Sequence, residues 1–535
     1  MATGSTPPHS VAMSRRAFLL AISIVTLIAV LRVRSTHRIF AQVIDEPVHI
    51  AAGYNWLVQQ RYDLDLEHPP LARAVLALAL SIKRQIPPVE TDWVLRGNAL
   101  LQTEGRYKHN LAWARSGNLI FLIIALVATT AWSARHLGRT GALVSAAVYA
   151  CIPPVLGHAG LATTDMAGAA MFPLALLTFE RWLDERSMRN TLLLGLAAGL
   201  GLLCKFSFLV FFPPAALIVA LFHSRRLRVS WSYLLLAAVV SIGVIWAGYF
   251  FHTAPVEEAR PGGAKLVGYA IGGPLHERAM WVARNVPLPA PLFVYGLFNV
   301  KAHDINGHRA YLLGEWADHG WWYYFIVALA VKTPLALLAL AVIGCCLRNR
   351  TAAMTTLVAF VVLMTTMTAS INIGVRHILP MMAPLSIAAA AGLIELWRRN
   401  RVFQVASVAL GGWLALNSVA AHPDYVAWFN EAAGTRPERI LTDSNLDWGQ
   451  DVLRLRRVIR NRSIRVWTAS IFTNADLDAL GFPPRYGIDL GAPPRGWLAI
   501  SEMELAVKGG DDAYPWLLGQ PYERVGKSIR LYYLH

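Results

Sequence analysis

Acidic and histidine side chains are concentrated in one short stretch, which directly follows the first apolar segment of the chain. Between Ile44 and Leu71 they are Asp45, Glu46, His49, Asp63, Asp65, Glu67 and His68. Ionisable side chains beside a membrane segment are costly and tend to be functional, and a carboxylate among them could take a proton from a hydroxyl group. The chemistry of the chain is therefore expected to start in this stretch.

The spacing of these residues allows more than one interpretation. His49 lies four residues after Asp45 and three after Glu46, so a helix would place all three on one face. Pro47 suits a first helical turn, and Asp45 could then serve only as the helix N-cap. His68 begins a His-Pro-Pro-Leu motif, which could be a rigid turn alone or a turn that also has a function. The sequence leaves both choices open.

Further charged residues stand at the ends of later apolar segments, on the side that the charge pattern predicts to be the outer one. They are Arg115, Asp165, Lys205, Arg376 and His377. Cations and carboxylates on one face could bind an anionic, lipid-borne phosphate and deprotonate an acceptor next to it. Each cation alone could instead be an interfacial residue that extends towards the headgroups. Their common side favours a joint site.

The composition is typical of a membrane protein. Of 535 residues, 55% are hydrophobic and 15% are charged, whereas soluble domains carry about 25% charged residues. The net charge of +16 comes from short clusters between apolar segments, which indicates membrane topology rather than a nucleic-acid-binding surface. The four cysteines lack metal-site spacing and are expected to be packing residues.

Eleven apolar segments are candidates for crossing the hydrocarbon core, which takes about 20 residues. They are residues 17–34, 115–134, 141–157, 166–182, 190–204, 206–223, 232–251, 322–347, 352–370, 377–397 and 402–420. The short pair 190–204 and 206–223 could be two helices or one broken helix. The predicted fold class is an all-α polytopic membrane protein.

Arginines predict the orientation of these segments, because they cluster at alternate connections. The clusters are Arg15 and Arg16, Arg135 and Arg139, Arg186 and Arg189, Arg225, Arg226 and Arg228, Arg348 and Arg350, and Arg398, Arg399 and Arg401. By the positive-inside rule, the amino terminus is cytoplasmic and the carboxyl terminus is outside. An odd number of spans agrees with that orientation.

Three connections on the outer side are long, and the last has a different composition. They are residues 35–114, 252–321 and 421–535. Two amphipathic stretches of the first, Val48–Gln60 and Leu71–Ile82, are expected to lie in the membrane interface. From His422 onward, short β-rich pieces and one helical stretch predict a small α/β domain outside the membrane. Residues 1–420 would then form the transmembrane domain.

The tail also contains the sequence DSNLDWGQD, residues 443–451, which we call the tail motif. Asp443, Asp447 and Asp451 recur every four residues, so a helix would align them in an acidic stripe that could bind a divalent cation. An N-cap at Asp443 or Ser444 followed by a solvated helix explains the same residues. A divalent metal is a possible cofactor, and its ligands are unknown from the sequence.

The order of Asp45-Glu46, His49, Gly53 and the motif beginning at His68 resembles the first outer loop of a known enzyme group. This is the protein O-mannosyltransferase-like group of GT-C glycosyltransferases. The likeness extends through Arg115, Asp165, Lys205, residues 319–334, residues 372–380 and the tail motif, which is similar to one in bacterial members. The resemblance implies a multi-pass enzyme of a bacterial plasma membrane that uses a polyprenyl-phosphate-linked sugar.

The resemblance also implies a role for each matched residue. Asp45 would be the catalytic base and Glu46 a second important acid, while Arg115, Lys205 and Arg376 would hold the donor phosphate. The further site candidates are His49, His68, Asp165 and His377, whereas Asp63, Asp65 and Glu67 are expected to be solvated loop residues. The implied reaction is inverting transfer of a hexosyl or pentosyl group to a hydroxyl of a protein, lipid or glycan acceptor.

Two features depart from relatives of this group, and other classes of function stay open. Residues 252–321 are shorter than the large outer domain of the eukaryotic O-mannosyltransferases, and His68 replaces a lysine of the aminoarabinose transferases. A lipid or sugar transporter or flippase without transferase activity is the main alternative, which predicts internal repeats and charges in the middle of spans. A structural or assembly protein is a second, in which Asp45 would be free to vary.

Overall fold

The helices of the protein follow the apolar segments of its sequence. The computed structural model describes residues 13–82, 92–223, 230–488, 493–510 and 514–535. Most of these residues are helical, in segments numbered here from the amino terminus. They are α1 Arg15–Thr36, α2 Glu46–Tyr54, α3 Pro70–Ser81, α4 Trp93–Gln102, α5 Tyr107–Tyr149, α6 Pro153–Ala159, α7 Asp165–Asp184, α8 Met188–Cys204, α9 Phe208–His223, α10 Trp231–Gly248, α11 Val256–Ala259, α12 Gly263–Ile271, α13 His276–Asn285, α14 Pro291–Asn306, α15 Tyr324–Lys332, α16 Leu335–Cys346, α17 Arg350–Thr366, α18 Met382–Trp397, α19 Arg401–Ala420, α20 Val452–Asn461 and α21 Glu502–Lys508.

Five helical segments are each long and apolar enough to cross a membrane. They are α1, α5, α10, α19 and Val375–Trp397, which consists of a 3₁₀ turn and α18. Helices α15 and α16 would together make a sixth span, although the chain bends by 105° between them. The chain is therefore an integral membrane protein. The count of eleven spans stays a prediction, because several other apolar helices are shorter than 18 residues.

The breaks in the helices have local causes. Two predicted spans, 115–134 and 141–157, belong largely to α5, which is interrupted at Gly138 with a φ of +66°. The predicted span 322–347 is broken before Pro334, because the residue ahead of a proline is disfavoured in helical geometry. Lys205 has an extended backbone, so α8 and α9 are two separate helices. Arg225, Arg226 and Arg228 lie outside the described residues.

Helix α2 is buried, contrary to the expectation that it lies in the membrane interface. All of its residues except Val48 are buried. The cause is that α3 and α4 pack on it and that the tail covers it. Ile50 and Tyr54 of α2 share one hydrophobic cluster with Leu455 of α20 and Trp467 of the tail sheet.

The tail forms a five-stranded sheet. The strands of the described residues are β1 Thr253–Ala254, β2 Leu288–Pro289, β3 Ala310–Leu312, β4 Glu315–Ala317, β5 Trp467–Ser470, β6 Arg485–Gly487, β7 Gly496–Ser501, β8 Tyr522–Val525 and β9 Ile529–Leu534. The tail sheet has the order β6-β5-β7-β9-β8, in which β5 is parallel to both neighbours and β9 is antiparallel to both of its own. The β-rich pieces predicted for the tail, residues 464–471, 497–501 and 528–533, are confirmed as β5, β7 and β9.

Candidate active site

Asp45 stands immediately before α2, and two glycines hold that helix close to its neighbours. A Cβ atom on Gly53 would lie 2.0 Å from the carbonyl oxygen of Arg73 in α3. One on Gly97 of α4 would lie 2.2 Å from the carbonyl oxygen of Pro47. Any side chain at these glycines would force the helices apart. The close packing fixes the start of α2, and with it the backbone of Asp45.

The carboxylate of Asp45 is paired with the guanidinium group of Arg376. Its Oδ2 accepts a hydrogen bond from Nη1 at 2.5 Å, and the Asp45 side chain remains 28% exposed. That side chain makes no capping hydrogen bond to α2, so the interpretation of Asp45 as an N-cap alone is wrong. A carboxylate that is held by a cation and still open to solvent can reach an acceptor hydroxyl.

Arg376 is largely buried and is held over the ring of Trp448. The distance from the guanidinium carbon to the ring centre is 4.5 Å. Its Nε has no hydrogen-bond partner among the described residues. A buried N–H group without an acceptor is unfavourable, and a phosphate oxygen would satisfy it. Arg376 therefore has both the charge and the unused donor that phosphate binding requires.

The tail motif holds Arg376 in position through the residues next to it in sequence. Oδ1 of Asn445 accepts a hydrogen bond from the backbone N–H of Val375 at 3.0 Å. Gly374 has a φ of +130°, and a Cβ atom there would lie 2.3 Å from Oγ of Ser444. Only glycine fits that backbone geometry and that space. The tail motif thus contributes to the candidate site, although the sequence placed it in a separate domain.

The same motif also holds the backbone just before Asp45. The N–H of Ile44 donates to the carbonyl oxygen of Trp448 at 3.1 Å, and the N–H of Ala41 donates to that of Gln450 at 2.9 Å. Trp448 therefore contacts Arg376 with its ring and the residue before Asp45 with its backbone. The sequence signals for this role were the tryptophan and dense polar residues of the tail motif and its similarity to a motif in bacterial members of the resembled group.

The acidic residues of the tail motif do not form a metal-binding stripe. Helix α20 begins only at Val452, after the motif. The buried carboxylate of Asp447 accepts a hydrogen bond from the backbone of Met503 at 2.9 Å. That of Asp451 accepts one from the backbone of Lys527 at 2.8 Å. Both sequence interpretations of this motif, the cation stripe and the solvated helix, are wrong, because these carboxylates stabilise buried turns.

Lys205 and Asp165 form a second ion pair near Arg376. Nζ of Lys205 donates to Oδ1 of Asp165, and the two side chains are 16% and 4% exposed. Arg376 interacts electrostatically with both Asp45 and Asp165. His377 is half-buried and is within electrostatic range of Lys205 and Arg376. The structure thus brings these predicted site residues into one cluster.

Glu46 and Arg115 form a fully buried ion pair. Nε and Nη2 of Arg115 each donate to one carboxylate oxygen at 2.7 Å, and neither side chain is exposed. The other N–H groups of Arg115 donate to backbone carbonyl oxygens of His37, Phe40 and Ala41. All five N–H groups of the guanidinium are therefore used inside the protein.

This pair corrects two expectations from the sequence. Arg115 has no N–H group left for a donor phosphate. Glu46 has no access to a substrate, and its oxygens also accept hydrogen bonds from the backbones of Val43 at 2.8 Å and Ala162 at 2.7 Å. The pair instead joins the first outer segment to α5 and to the loop that leads to Asp165.

His49 and His68 meet at Asp65. Oδ2 of Asp65 lies 3.0 Å from Nδ1 of His68 and 3.7 Å from Nδ1 of His49. Burial lowers the pKa of His49 to about 3, so its imidazole is neutral. Burial opposes the ionisation of Asp65, but His68 and Arg73 outweigh it and lower the pKa of Asp65. Because Asp65 is only 10% exposed, the expectation that it is a solvated loop residue is wrong.

Comparison with known proteins identifies the type of fold. Residues 87–247 match the family model described as dolichyl-phosphate-mannose-protein mannosyltransferase. The structure of ArnT from Cupriavidus metallidurans bound to undecaprenyl phosphate matches with a TM-score of 0.51 at 11% identity, over 97% of this chain and 98% of ArnT.

A further solved structure is similar at a lower score. The archaeal oligosaccharyltransferase AglB from Archaeoglobus fulgidus, in complex with an inhibitory peptide and a dolichol-phosphate, matches with a TM-score of 0.45 at 13% identity, over 96% of this chain and 74% of AglB. No curated protein matches the chain. The chain is an integral membrane protein with the GT-C type of fold that ArnT has, and its residues 87–247 have the sequence pattern of the mannosyltransferase family model.

Proposed function

We propose that this protein is a membrane glycosyltransferase that moves a sugar from a polyprenyl-phosphate-linked donor to an acceptor hydroxyl. The observation that carries the proposal is the Asp45–Arg376 pair, in which a partly exposed carboxylate adjoins a cation with an unused N–H group. The bound undecaprenyl phosphate of ArnT and the description of the matched family model both support a lipid-phosphate donor.

In the proposed reaction, Asp45 accepts the proton of the acceptor hydroxyl. The acceptor oxygen attacks C1 of the sugar, and the bond from C1 to the phosphate oxygen breaks on the opposite face. The polyprenyl phosphate leaves with the electron pair of that bond, so the configuration at C1 is inverted. Arg376 and Lys205 stabilise the charge that develops on the leaving phosphate, since preorganised cations act most strongly where water is excluded.

The proposal includes the topology that the sequence predicts. Eleven spans with a cytoplasmic amino terminus would put Asp45, Arg376 and the neighbouring Lys205–Asp165 pair on the outer side of a bacterial plasma membrane. Residues 421–535 would lie on the same side. Residues 1–420 would form the catalytic transmembrane domain. Hexosyl and pentosyl groups are both open as the sugar, and a protein, lipid or glycan could be the acceptor.

Turnover distinguishes this function from that of a transporter or flippase. We expect purified protein in liposomes to convert a polyprenyl-phosphate sugar, labelled in the sugar, into a labelled acceptor and free polyprenyl phosphate. Panels of hexose and pentose donors with membrane-extract acceptors would identify both substrates by mass spectrometry. Movement of labelled lipid between leaflets without any cleavage of the C1–O bond would contradict the proposal and support a flippase.

Replacing Arg376 by glutamine is expected to lower kcat/KM for the donor by about 100- to 1,000-fold, the range for loss of one preorganised donor in an active site. The reason is that Gln cannot neutralise the leaving phosphate. The measurement is transfer at several donor concentrations. Arg309 gives a matched control, because it also packs on a tryptophan ring, at 4.9 Å from the centre of Trp316, but is exposed. Equal losses in Arg309→Gln and Arg376→Gln would contradict the assignment.

The affinity for the donor is expected to fall as the pH rises through about 6, because of Asp443. Burial raises the pKa of Asp443 to about 6. The positive charge of Arg376 opposes this shift, and the negative charge of Asp45 adds to it. Below that pH the carboxyl group is neutral, whereas above it a negative charge near Arg376 repels the donor phosphate. The diester donor does not change charge in this range. A repulsion of about 1 kcal/mol corresponds to roughly fivefold weaker binding.

Equilibrium binding of labelled donor at pH 5 and pH 7 measures this effect independently of turnover. We expect Asp443→Asn to bind the donor equally at both values. A pH dependence that survives in Asp443→Asn would assign the titration to another group.

A further inference from the structure

We propose that His49, Asp65 and His68 form a binding site for one divalent transition-metal ion of the Zn²⁺ type. The three side chains offer two imidazole nitrogens and a carboxylate oxygen, and these donor atoms all lie within 4.8 Å of one another. The two imidazole rings meet edge to face, with centres 4.7 Å apart. The proposed transfer reaction gives no role to any of the three residues, so this site does not depend on that proposal.

His49 provides the evidence that the cluster is built to receive a ligand. Its side chain is 3% exposed, and its Nδ1 has no hydrogen-bond partner among the residues that the structure describes. Oδ2 of Asp65 is 3.7 Å from this nitrogen, which is too far for a hydrogen bond. A buried nitrogen atom directed at a carboxylate without reaching it is unfavourable, and coordination of an ion between the two would satisfy both.

The distances agree with the dimensions of a tetrahedral site. Zinc binds histidine nitrogen and carboxylate oxygen at about 2.0 to 2.2 Å, which places two neighbouring ligand atoms about 3.4 Å apart. The distances from Oδ2 of Asp65 to Nδ1 of His68 and of His49, 3.0 and 3.7 Å, lie on either side of that value. Small side-chain movements would therefore be enough to bind the ion.

A buried arginine holds the loop that carries two of the three ligands. Nη1 of Arg73 donates to Oδ2 of Asp65 at 3.2 Å and to the carbonyl oxygen of the same residue at 2.9 Å. Nη2 donates to the hydroxyl of Tyr62 at 2.7 Å and to the carbonyl oxygen of His68. Carboxylate ligands of metals are commonly held by such hydrogen bonds, which orient them before the ion arrives.

The atoms that would bind the metal indicate which class of metal ion the site prefers. Imidazole nitrogen suits Zn²⁺, Co²⁺ and related ions, whereas Mg²⁺ and Ca²⁺ prefer oxygen ligands only. With two histidines and one carboxylate, a four-coordinate ion would keep one position for water or another ligand. His68 is 31% exposed, so the open position would face the accessible side of the cluster. The ion would also tie α2, one turn after Asp45, to the loop before α3.

Titration with Co²⁺ tests this site directly, because four-coordinate Co²⁺ absorbs visible light strongly. We expect purified full-length protein, treated with a chelator and then dialysed, to bind one Co²⁺ per chain with the spectrum of a four-coordinate site. His68→Asn and His49→Gln should each weaken that binding by at least about 100-fold. Zn²⁺ should displace Co²⁺ and raise the Tm of the wild-type protein more than that of either variant.

A second histidine pair provides the matched control. His303 and His308 approach each other with nitrogen atoms 3.1 Å apart, and neither is a proposed ligand. His308→Asn should therefore bind Co²⁺ as the wild type does. Because His49 is buried and its variant could fold poorly, the more exposed His68 decides the matter. Absence of saturable Co²⁺ binding, unchanged binding in His68→Asn, or loss of binding in His308→Asn would each overturn the proposal.

Discussion

Replacing Asp45 by asparagine is expected to reduce the rate of sugar transfer by about 100- to 10,000-fold, the range for loss of a general base. Asparagine has nearly the same shape, but it cannot accept the proton of the acceptor hydroxyl. The substitution also releases Arg376 from its only charged hydrogen-bond partner among the described residues. Donor binding should therefore be unchanged or tighter, while turnover is lost.

The measurements are transfer under single-turnover conditions and equilibrium binding of the donor, both on protein extracted from membranes in normal yield. Asp63→Asn is the matched control, since Asp63 belongs to the same outer segment but pairs with the exposed Arg61 at 2.7 Å. That variant should transfer sugar normally. Near-normal transfer by well-expressed Asp45→Asn protein would exclude Asp45 as the base.

Removing the charge of Arg115 is expected to lower the free energy of unfolding by about 3 to 5 kcal/mol, the usual loss when one partner of a buried ion pair is deleted. In Arg115→Met, the carboxylate of Glu46 would remain buried without its cation, and three backbone carbonyl groups would lose their donors. Desolvation of the unpaired charge is the main cause. Thermal and denaturant unfolding in detergent measure the effect.

Two further variants separate this structural role from phosphate binding. The double variant Glu46→Gln with Arg115→Met should recover part of the lost stability, because no charge remains buried. Arg61→Met, which breaks a pair on the surface, should change stability little. If Arg115→Met folded as stably as the wild type and lost only donor affinity, Arg115 would be a phosphate-binding residue after all.

The long apolar helices could be predicted from the sequence alone. Helices such as α1, α10 and α19 are local, since about 20 apolar residues suffice to specify a span wherever they occur. Their starts are local too, as at α19, where the side chain of Asn400 accepts a hydrogen bond from the backbone of Val402. The bend before Pro334 was missed, because hydropathy does not register backbone geometry, whereas the interruption at Gly138 falls between two of the predicted spans.

For the site residues, the sequence indicated which side chains converge but not which of them pair with each other. The sequence correctly selected Asp45, Asp165, Lys205 and Arg376 as polar residues that converge, because unpaired charges at the ends of apolar spans are rare. It could not assign their partners. Arg115 and Arg376 were both expected to hold the donor phosphate, yet Arg115 is sealed against Glu46 and Arg376 adjoins the partly exposed Asp45.

By itself, then, the sequence determined that the chain is a membrane protein, where most of its helices lie and which short stretch holds the proposed base. Only the tertiary structure decided which charged side chains are accessible to a substrate and which are buried in ion pairs. Glu46 and Arg115 are 69 residues apart, and Asp45 and Arg376 are 331 apart. Pairing over such separations depends on how helices and tail pack, because a guanidinium group binds whichever carboxylate the packing brings within about 3 Å. The tail motif shows this most clearly, since only its docking makes Trp448 and Asn445 part of the site.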